Sequence, residues 1–598
     1  MISSALTTLQ FKTSARGKTW RSRLSPQQDA QALAIAQQHD IPDIVARVLA
    51  ARNVTALDAP GYLDPSLRQL MPDPDVLVDM QPMVARLVAA VERAETVAIF
   101  GDYDVDGACS AALLAQFLDS AGCKTIIHIP DRIFEGYGPN SAAIEALAGE
   151  GAQLLVCVDC GTTSFETFAD AKGVGLDVLV IDHHQAPEKL PEVAALVNPN
   201  RLDDISGLGH LCAAGVVYMV LVALNRALRR SSSWQGRAAP DLLAALDLVA
   251  LATIADVVPL IGLNRAFVVK GLAVLKNRER PGLRALMDAA RLDGPPTAYH
   301  LGFLLGPRIN AGGRIGDAVM GVRLLTTADE GLAQRWAREL DQLNRERQAI
   351  ETAALAEAEA QALLQVGLET SIEGVLVVAE EGWHPGIVGL VAARLKEKFA
   401  MPTFAIAWNG ASGTGSGRSI TGVDLGRAVR HAVDSGLIVK GGGHAMAAGV
   451  TLTREQLPAF KAALSTALSA ELAIARQDSN LPIDSLLGGA GLQVELIKRL
   501  ESVGPFGSGS PEPLFVIPDL HILEVMEFGT GHMRLRARSD DGSALKAVAF
   551  RAAGTALGQA LLDARHGQSV ALAGSLSINH WGGREEVQFR VIDLAHKG

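Results

Sequence analysis

From residue 96 to residue 200, short apolar runs alternate with segments whose apolar residues recur at helical spacing. The apolar runs predict five strands, at residues 96–100, 124–129, 154–158, 178–181 and 195–197. The segments between them include two predicted helices, at residues 108–121 and 141–149. Because regular alternation of strands and helices is typical of a doubly wound, mostly parallel sheet, the sequence predicts an α/β fold for this region.

The rest of the chain has a different pattern. Residues 329–366 lack Pro, contain one early Gly and are rich in Ala, Glu, Leu, Gln and Arg, which predicts one long helix. A second α/β pattern follows, with a strand at residues 374–379, a helix at 386–398 and a strand at 403–408. From about residue 504 onward, β-branched residues and turn signals predict a small all-β domain.

A chain of 598 residues is long enough for three or four domains, at roughly 100–200 residues each. We predict an N-terminal segment (1–70), an α/β domain (71–328), a connecting helix (329–366), a second α/β domain (367–500) and a C-terminal all-β domain (501–598).

The composition of the chain indicates the cellular compartment in which the protein works. The longest apolar run, residues 211–224, is shorter than the roughly 20 residues that span a bilayer, so we expect a buried helix and no membrane segment. The N-terminus has no apolar core of a secretory signal, and five cysteines are an odd, sparse set. These features predict a cytoplasmic protein with free thiols. The net charge of −11 argues against a general nucleic-acid coat protein, but not against an enzyme whose local field or bound metal ions attract nucleic acid.

Acidic and imidazole residues follow three of the predicted strands. The sequence GDYDVDG places Asp102, Asp104 and Asp106 after the first strand, Asp159 follows the third, and residues 182–184 are Asp-His-His after the fourth. Ligands of open parallel sheets bind at the carboxyl ends of strands, so these side chains are expected at one edge. Carboxylate and imidazole ligands suit manganese, magnesium or zinc, and the excess of carboxylates favours the harder ions. The alternative for GDYDVDG is a solvated turn.

Two further positions allow a structural or a functional interpretation. Asp256 lies in an apolar sequence, ATIADVVP, where an unpaired buried acid costs several kcal/mol. It is either another metal ligand or a helix-end residue. Cys157 and Cys160 have the CxxC spacing of zinc and redox sites, but they lie across a strand end without a second such pair. We interpret that spacing as coincidental.

The order of several motifs resembles a known family. GDYDVDG, VDCGT, IDHH and ATIADVVPL resemble the DHH phosphoesterase superfamily in sequence and in order. GPRINAGGRIGD (306–317), WHPGIVG (383–389), GSGRS (415–419) and GGGHAMAAG (441–449) are similar to RecJ single-stranded-DNA exonucleases specifically. The resemblance extends from about residue 70 to the end of the chain.

The resemblance implies a two-metal nuclease. Two divalent ions, manganese or magnesium, would be held by Asp102, Asp104, Asp106, Asp159, His183 and Asp256, with Asp159 bridging them. Asp182 would orient His183, and His184 would lie near the scissile phosphate. The family degrades single-stranded DNA from the 5′ end to 5′-mononucleotides in recombination and repair. Residues 71–328 would be the DHH domain, 367–500 the DHH-associated DNA-binding domain and 501–598 an oligonucleotide-binding (OB) barrel.

Candidate DNA contacts lie in all three domains. The glycine-rich segment with Gly442, Gly443 and His444 offers backbone N–H groups to a phosphate, and Ser416 and Arg418 add a hydroxyl and a cation. The resemblance adds three further arginines as phosphate contacts: Arg132, Arg308 and Arg314.

In the C-terminal domain, alternation predicts that three arginines share one face of a strand: Arg534, Arg536 and Arg538. His532, Phe550, Trp581 and Phe589 are candidates for stacking on bases. The alternative is a solvated strand whose aromatic side chains belong to the core, above all Phe550 and Phe589.

Two other functions fit the metal motifs alone. One is a phosphodiesterase or pyrophosphatase of the same superfamily that acts on small substrates, which the chain length and the β domain disfavour. The other is a non-enzymatic replication scaffold that has lost its metals, which the complete ligand set disfavours. The expected partners are single-stranded DNA, a helicase and a single-strand-binding protein, and the expected state is a monomer.

Overall fold

The computed structural model describes residues 14–596 except 133, 232, 235, 369–373, 478–479, 567–568 and 582–583. The side chains of residues 366–368, 476–477, 490, 566, 580–581 and 584 also lie outside the described set. The chain divides into two compact units. The first contains residues 1–70, 259–261 and 478–598, and the second contains residues 71–258 and 262–477.

The strands and helices are numbered separately along the chain. The strands are β1 (Thr19–Ser22), β2 (Thr96–Gly101), β3 (Lys124–His128), β4 (Leu154–Val158), β5 (Asp177–Ile181), β6 (Ala195–Val197), β7 (Leu376–Glu381), β8 (Thr403–Asn409), β9 (Ser412–Arg418), β10 (Lys440–His444), β11 (Ala447–Thr453), β12 (Asn480–Ile483), β13 (Ser485–Leu486), β14 (Phe515–Phe528), β15 (His532–Ser539), β16 (Ala544–Ala549), β17 (Ser569–Trp581) and β18 (Arg584–His596). The α-helices are α1 (Pro26–His39), α2 (Asp43–Ala50), α3 (Ala59–Leu63), α4 (Leu67–Leu70), α5 (Met80–Glu92), α6 (Val105–Ala121), α7 (Ser141–Gly149), α8 (Phe165–Gly173), α9 (Ala213–Arg230), α10 (Leu246–Ala255), α11 (Gly262–Lys276), α12 (Pro281–Ala289), α13 (Ala298–His300), α14 (Gly306–Ile315), α15 (Val319–Thr326), α16 (Glu330–Leu368), α17 (Val388–Phe399), α18 (Leu425–Asp434), α19 (Leu457–Gln477), α20 (Val494–Glu501) and α21 (Ala556–Asp563).

The predicted parallel sheet is confirmed. Its five strands lie in the order β3-β2-β4-β5-β6, and all their pairings are parallel. Helices α7 and α8 pack on one face, against the core of Phe100, Cys157 and Val180. Helices α5, α6 and α9 pack near the same strands on the other face. The sheet is therefore doubly wound, and its carboxyl edge carries the loops that follow β2, β4 and β5.

The first helix after β2 begins earlier than the sequence predicts. We expected it at residue 108, and it begins at Val105 because the Asp104 carboxylate caps it by accepting hydrogen bonds from the backbone N–H groups of Asp106 and Gly107. Asp106 therefore lies in the first helical turn rather than in a loop. Gly107 permits this close turn, since a Cβ there would lie 2.3 Å from the carbonyl oxygen of Asp102.

The second sheet also belongs to the larger unit. Its order is β10-β11-β9-β8-β7, in which only β7 and β8 are parallel. Helix α16 runs for 39 residues before this sheet, close to the predicted residues 329–366. Strand β10 is an edge strand, so half of its backbone N–H groups point away from the sheet.

Among helices of the described residues, one segment, Leu457–Ala475, passes a length and hydropathy test for a membrane span. It lies within α19, whose apolar side chains Phe460, Leu464 and Leu468 are buried in the core of the second sheet. We interpret α19 as a core helix. Helix α9 contains most of the long apolar run at residues 211–224, and nearly all of its apolar side chains are buried, as the sequence predicts.

The smaller unit contains the predicted OB barrel. Strands β14, β15, β16, β18 and β17 pair in that order, and β14 also pairs with β17, which closes the barrel. The N-terminal helices share its core, because Ile35 and Leu49 belong to the same buried cluster as Phe515 and Phe589. Strand β1 pairs with β12 in the same unit. No sequence pattern predicted this association, which joins residues far apart in the chain.

Candidate metal centre

The carboxyl edge of the first sheet collects the acidic residues. Asp102 directly follows β2, Asp159 directly follows β4, and Asp182 directly follows β5. Asp159 has φ +62, a left-handed conformation that Asp and Asn tolerate better than most residues. Since the backbone turns at that point, its carboxylate is placed among those of the neighbouring loops.

Helix ends orient two further acids. The carboxylate of Asp106 accepts hydrogen bonds from the backbone N–H groups of Ala213 and Ala214, at 2.6 and 2.8 Å. These groups lie at the N-terminus of α9, which favours a negative charge. Asp256 directly follows α10 as its end residue, but it also faces His183. Asp256 is therefore a helix-end residue, and its role as a metal ligand stays a prediction.

His183 has the orientation of a metal ligand. Its Nδ1 donates to the carbonyl oxygen of Leu211 at 3.1 Å, which leaves Nε2 as the atom with a free lone pair. Nε2 lies 3.2 Å from Asp159, 3.8 Å from Asp106 and 3.8 Å from Asp256.

The side chains form three overlapping groups whose ligand atoms lie within 4.8 Å of one another. They are Asp106 with His183 and Asp256, Asp102 with Asp104 and Asp159, and Asp159 with His183 and His184. The structure thus brings together all six residues that the resemblance assigns as ligands. It also places Asp159 in two of the three groups, and His183, which accompanies it in one of them, belongs to the Asp106 group as well.

The chemistry of this donor set fits divalent cations. Oδ1 of Asp102 and Oδ1 of Asp159 are buried and accept no hydrogen bond. Burial, followed by the charge of Asp104, holds the pKa of Asp102 well above its usual range, and burial and Asp106 do the same for the pKa of Asp159. Burial and Asp106 raise the pKa of Asp256 to about 9. Uncompensated carboxylates of this kind are costly, and a bound cation removes the cost.

Asp182 serves a hydrogen-bond network behind His184. It accepts hydrogen bonds from Thr162 Oγ1 at 2.6 Å and from Nδ1 of His184 at 2.8 Å. Although burial opposes a charge on the imidazole, the hydrogen bond to Asp182 and its negative charge raise the pKa of His184 to about 9. Burial likewise opposes a charge on Asp182, but its bond to His184 holds the pKa of Asp182 below its ordinary value. His183 is not bonded to the Asp182 carboxylate through its ring; its backbone N–H is the donor.

Three residues of this network were not singled out from the sequence. Thr162 bonds Asp182, and the fully buried Asn198 donates to Thr162 Oγ1 and to the carbonyl oxygen of His184, both at 2.9 Å. The hydroxyl of Tyr137 donates to the backbone oxygen of Asp159 at 3.3 Å and lies beside the His184 ring. Asn198 directly follows β6, so the strand-end argument applied to the acidic residues could have found it.

Three predicted arginines lie near the acidic groups. The Arg132 guanidinium lies 5.0 Å from the ring centroid of Tyr103, between the first two aspartates. Burial and the charge of Arg132 lower the pKa of Arg314 to about 10, and both also lower the pKa of Arg418. Arg314 donates to the carbonyl oxygen of Gly386 at 2.9 Å. Mutually repelling, buried guanidinium groups beside a cation site suit an anionic phosphate.

The glycine-rich strand reaches the same centre. The His444 ring stacks at 6.5 Å from the His184 ring, with an interplanar angle of 22°. Gly443 has φ +141, and a Cβ there would lie 2.3 Å from the oxygen of Ala447, so no side chain fits. A Cβ on Gly442 would enter open space. Arg418 donates to Ser416 Oγ at 2.8 Å on the same strand, β9.

Arg308 has a different environment. Its Nε donates to Asp341 at 3.0 Å and its Nη1 donates to the carbonyl oxygen of Leu304, so its guanidinium already has protein partners. Its role as a phosphate contact stays a prediction.

Cys157 and Cys160 are buried in the apolar core beneath the sheet edge, in line with the interpretation of their spacing as coincidental.

The barrel exposes some of the residues that the sequence suggests as DNA contacts and buries another. Arg534, Arg536 and Arg538 are exposed on one face of β15, as alternation predicts. Phe550 is 54% exposed, and its ring contacts that of His532 at 5.4 Å. Phe589 is fully buried in the barrel core and cannot stack on a base. The side chain of Trp581 lies outside the described residues.

Known families match three parts of the chain. The N-terminal domain of the DHH family matches residues 96–253, the DHHA1 domain matches residues 373–470 and the RecJ OB domain matches residues 483–593. These matches correspond to the three domains that the sequence predicts as catalytic, DNA-binding and all-β.

Curated relatives match nearly the whole chain. The RecJ single-stranded-DNA-specific exonuclease of Salmonella typhimurium is 34% identical over 93% of this chain and 96% of its own. That of Escherichia coli K12 has the same identity and coverage, and that of Bacillus subtilis is 32% identical over 95% of this chain and 70% of its own.

Solved structures match as well. RecJ from Thermus thermophilus in complex with Mn²⁺ superposes with a TM-score of 0.76 at 29% identity, over 96% of this chain and 78% of that one. The same protein in complex with Mg²⁺ gives a TM-score of 0.72 at 28% identity, with the same coverage.

Proposed function

This chain belongs to the RecJ family of single-stranded-DNA-specific exonucleases, and we propose that it degrades single-stranded DNA from the 5′ end, releasing 5′-mononucleotides, with two divalent ions. One observation supports this above the others: Asp159 and His183 connect the acidic groups around Asp102 and Asp106, and the guanidinium groups of Arg132 and Arg314 lie close enough to the first aspartates to interact with their charges. A double cation site next to an anion site matches a phosphodiester that is held and cleaved at one place.

Manganese or magnesium would be held by Asp102, Asp104, Asp106, Asp159, His183 and Asp256. When bound, the ions activate water and neutralise the phosphate charge. The chain's own residues orient these ligands. The Leu211 carbonyl fixes the tautomer of His183, and the N-terminus of α9 fixes Asp106. The ring of His184, whose pKa the hydrogen bond to Asp182 raises, lies 4.0 Å from Asp159.

The second sheet would hold the DNA end over this centre. Arg418 and Arg314 supply positive charge, and the edge strand with Gly442 and Gly443 supplies backbone N–H groups without an intervening Cβ. His444 stacks near His184 and so links this surface to the reacting centre. Arg132 would contact the 5′ end from the loop after β3.

The two competing functions are not favoured. A substrate the size of a dinucleotide does not need the closed barrel, which matches the RecJ OB domain. A scaffold without metal would have no reason to keep all six proposed ligands close together. It would also have no cation to offset the cost of two buried carboxylate oxygens that accept no hydrogen bond.

Further roles are proposed from the family. We infer action in DNA recombination and repair in the cytoplasm, on strands supplied by a helicase and bound by a single-strand-binding protein. We also infer that the chain acts as a monomer, with the boundaries 71–328, 367–500 and 501–598 for its three functional domains.

One experiment tests both the activity and its direction. A long single strand is labelled at the 5′ or the 3′ end and incubated with the protein and Mn²⁺, and the products are separated by size. We expect immediate release of the 5′ label as a mononucleotide, while the 3′ label stays on a shortening strand. Release of the 3′ label first, or equal degradation of duplex DNA, would contradict the proposal. A dinucleotide degraded faster than the long strand would favour a small-substrate phosphodiesterase.

A further inference from the structure

Two large aromatic side chains are exposed side by side on the larger unit. The rings of Tyr299 and Phe303 are stacked, with centroids 5.0 Å apart and an interplanar angle of 23°. They are 60% and 68% exposed. Phe303 lies in a π-helical turn, Leu301–Leu305, between α13 and α14. Such turns are rare and frequently occur at functional sites.

This turn packs against the helix that ends at a metal ligand. A Cβ on Gly302 would lie 3.2 Å from Cγ2 of Ile254, and one on Gly306 would lie 3.4 Å from Cβ of Ala255. Asp256 is the next residue after Ala255. The aromatic pair is therefore carried by a segment in direct contact with the end of α10 that positions Asp256.

The surface next to Asp256 is apolar as well. Val257 is 67% exposed and has φ +61, which is strained for a β-branched residue. The rings are aromatic and nearly parallel to each other, which suits a flat ligand rather than the rounded side chains of a protein core.

We propose that Tyr299 and Phe303 form a stacking platform for bases of the single-stranded DNA substrate. The inference rests on the proposed function, because it assigns a path to the strand whose phosphate lies at the metal centre. Bases of single-stranded DNA are unpaired and have two flat faces, and proteins that bind such strands without reading sequence stack them on aromatic rings. A strand held at Asp256 lies at the end of α10, the helix against which the turn that carries Phe303 packs.

A tryptophan at position 303 tests directly whether bases of a single strand contact this platform. Phe303→Trp places an indole at the platform, and stacking of a base quenches its fluorescence relative to that of the unsubstituted protein. We expect saturable quenching by an oligothymidylate in EDTA, so that no cleavage occurs. The control is Val174→Trp. Val174 is exposed between α8 and β5, at the edge of the first sheet opposite the metal ligands, and should show no quenching.

Alanine variants test the energetic contribution. Tyr299→Ala and Phe303→Ala should each weaken binding of a long oligothymidylate by about tenfold, the usual range for one stacked base. Because stacking neutralises no phosphate, the log–log slope of affinity against salt should not change.

The outcomes separate this inference from the proposed function. Absence of quenching in the Phe303→Trp variant, together with unchanged affinities in both alanine variants, overturns the platform and leaves a docking site for a protein partner as the use of this surface. Equal quenching of the Val174→Trp control also overturns it. Cleavage by the unsubstituted protein is measured separately, so its absence would overturn the proposed function whatever the fluorescence shows.

Discussion

Nε2 of His183 lies 3.2 Å from Oδ1 of Asp159, and the two atoms make no hydrogen bond. Two ligands of an octahedral ion at about 2.1 Å are roughly 3 Å apart, so this separation would suit two neighbouring ligands of one divalent ion. The pair joins the metal group of Asp106 to that of Asp102.

The first prediction concerns Asp159. Asp159→Asn keeps the size of the side chain and tolerates the left-handed backbone, whereas Asp159→Ala adds strain at φ +62. Both should reduce hydrolysis by more than about 100-fold while the protein stays folded and binds single strands, because the ligand common to two groups is lost. Rate measurements in Mn²⁺ with parallel binding measurements check this. A rate within about tenfold of the parent, less than the usual loss for a metal ligand, would refute the assignment.

The second prediction concerns the network behind His184. Asn198→Ala removes donors to Thr162 Oγ1 and to the His184 carbonyl, and a buried unsatisfied acceptor costs about 1–3 kcal/mol. We expect activity to fall by about 10–100-fold, the range typical for loss of a residue that supports the side chains of a metal site from behind. Asn225→Ala is the control, since that buried Asn accepts one long hydrogen bond from Arg229 on α9. Equal loss in both variants would indicate a general effect of removing a buried Asn.

The third prediction concerns metal removal. Without metal, Asp256 keeps its proton up to about pH 9 when folded but only to about pH 4 when unfolded, so the unfolded state binds fewer protons between these values. The free energy of unfolding in EDTA should therefore decrease as pH rises from about 4 to 9. Bound Mn²⁺ should stabilise the protein increasingly over that range, since the ligands must be deprotonated. Thermal melting at several pH values checks this. A gap between the EDTA and Mn²⁺ curves that does not widen with pH would contradict it.

The fourth prediction concerns the phosphate-binding surface. Arg418→Ala and His444→Ala should weaken binding and turnover of single strands without loss of bound metal, because these residues belong to the second sheet and not to the ligand groups. For Arg418→Ala the salt dependence should also flatten, by about 0.7 per lost phosphate contact. Arg394→Ala is the control, an arginine on α17 that pairs with Glu351 and Glu397. Unchanged affinity in both test variants would argue against an end-binding role.

The fifth prediction concerns the barrel. Substitution of Arg534, Arg536 and Arg538 together by Ala should weaken binding of long strands and lower the log–log salt slope by about 2. Point variants are preferable to a truncation near residue 500, because removal of the barrel would expose the apolar faces of α1 and α2 that share its core. Affinity is measured against salt concentration without divalent ions. Arg93→Ala, an exposed arginine after α5, serves as the control. An unchanged slope would assign this face another role, such as docking a protein partner.

Local sequence determined the elements of the first sheet and the residues at its edge. Apolar runs such as Leu154–Val158 can be buried on both sides only in a covered sheet, and strands joined by helices lie parallel. Acids that follow such strands must then meet at one edge. Asp102, Asp159 and Asp182 could therefore be placed together from their positions alone, and family resemblance supplied the metal count.

Tertiary structure decided what depends on distant parts of the chain. The carboxylate of Asp106 is held by N–H groups more than 100 residues away, at the start of α9. Phe550 and Phe589 are both aromatic residues of β-rich sequence, yet Phe550 lies in the turn after β16 and is exposed, whereas Phe589 lies on β18 and is fully buried in the barrel core. The N-terminal helices joined the barrel rather than forming a separate segment. Sequence periodicity specifies which face of an element is apolar, but the partner that covers this face is selected by packing of the whole chain.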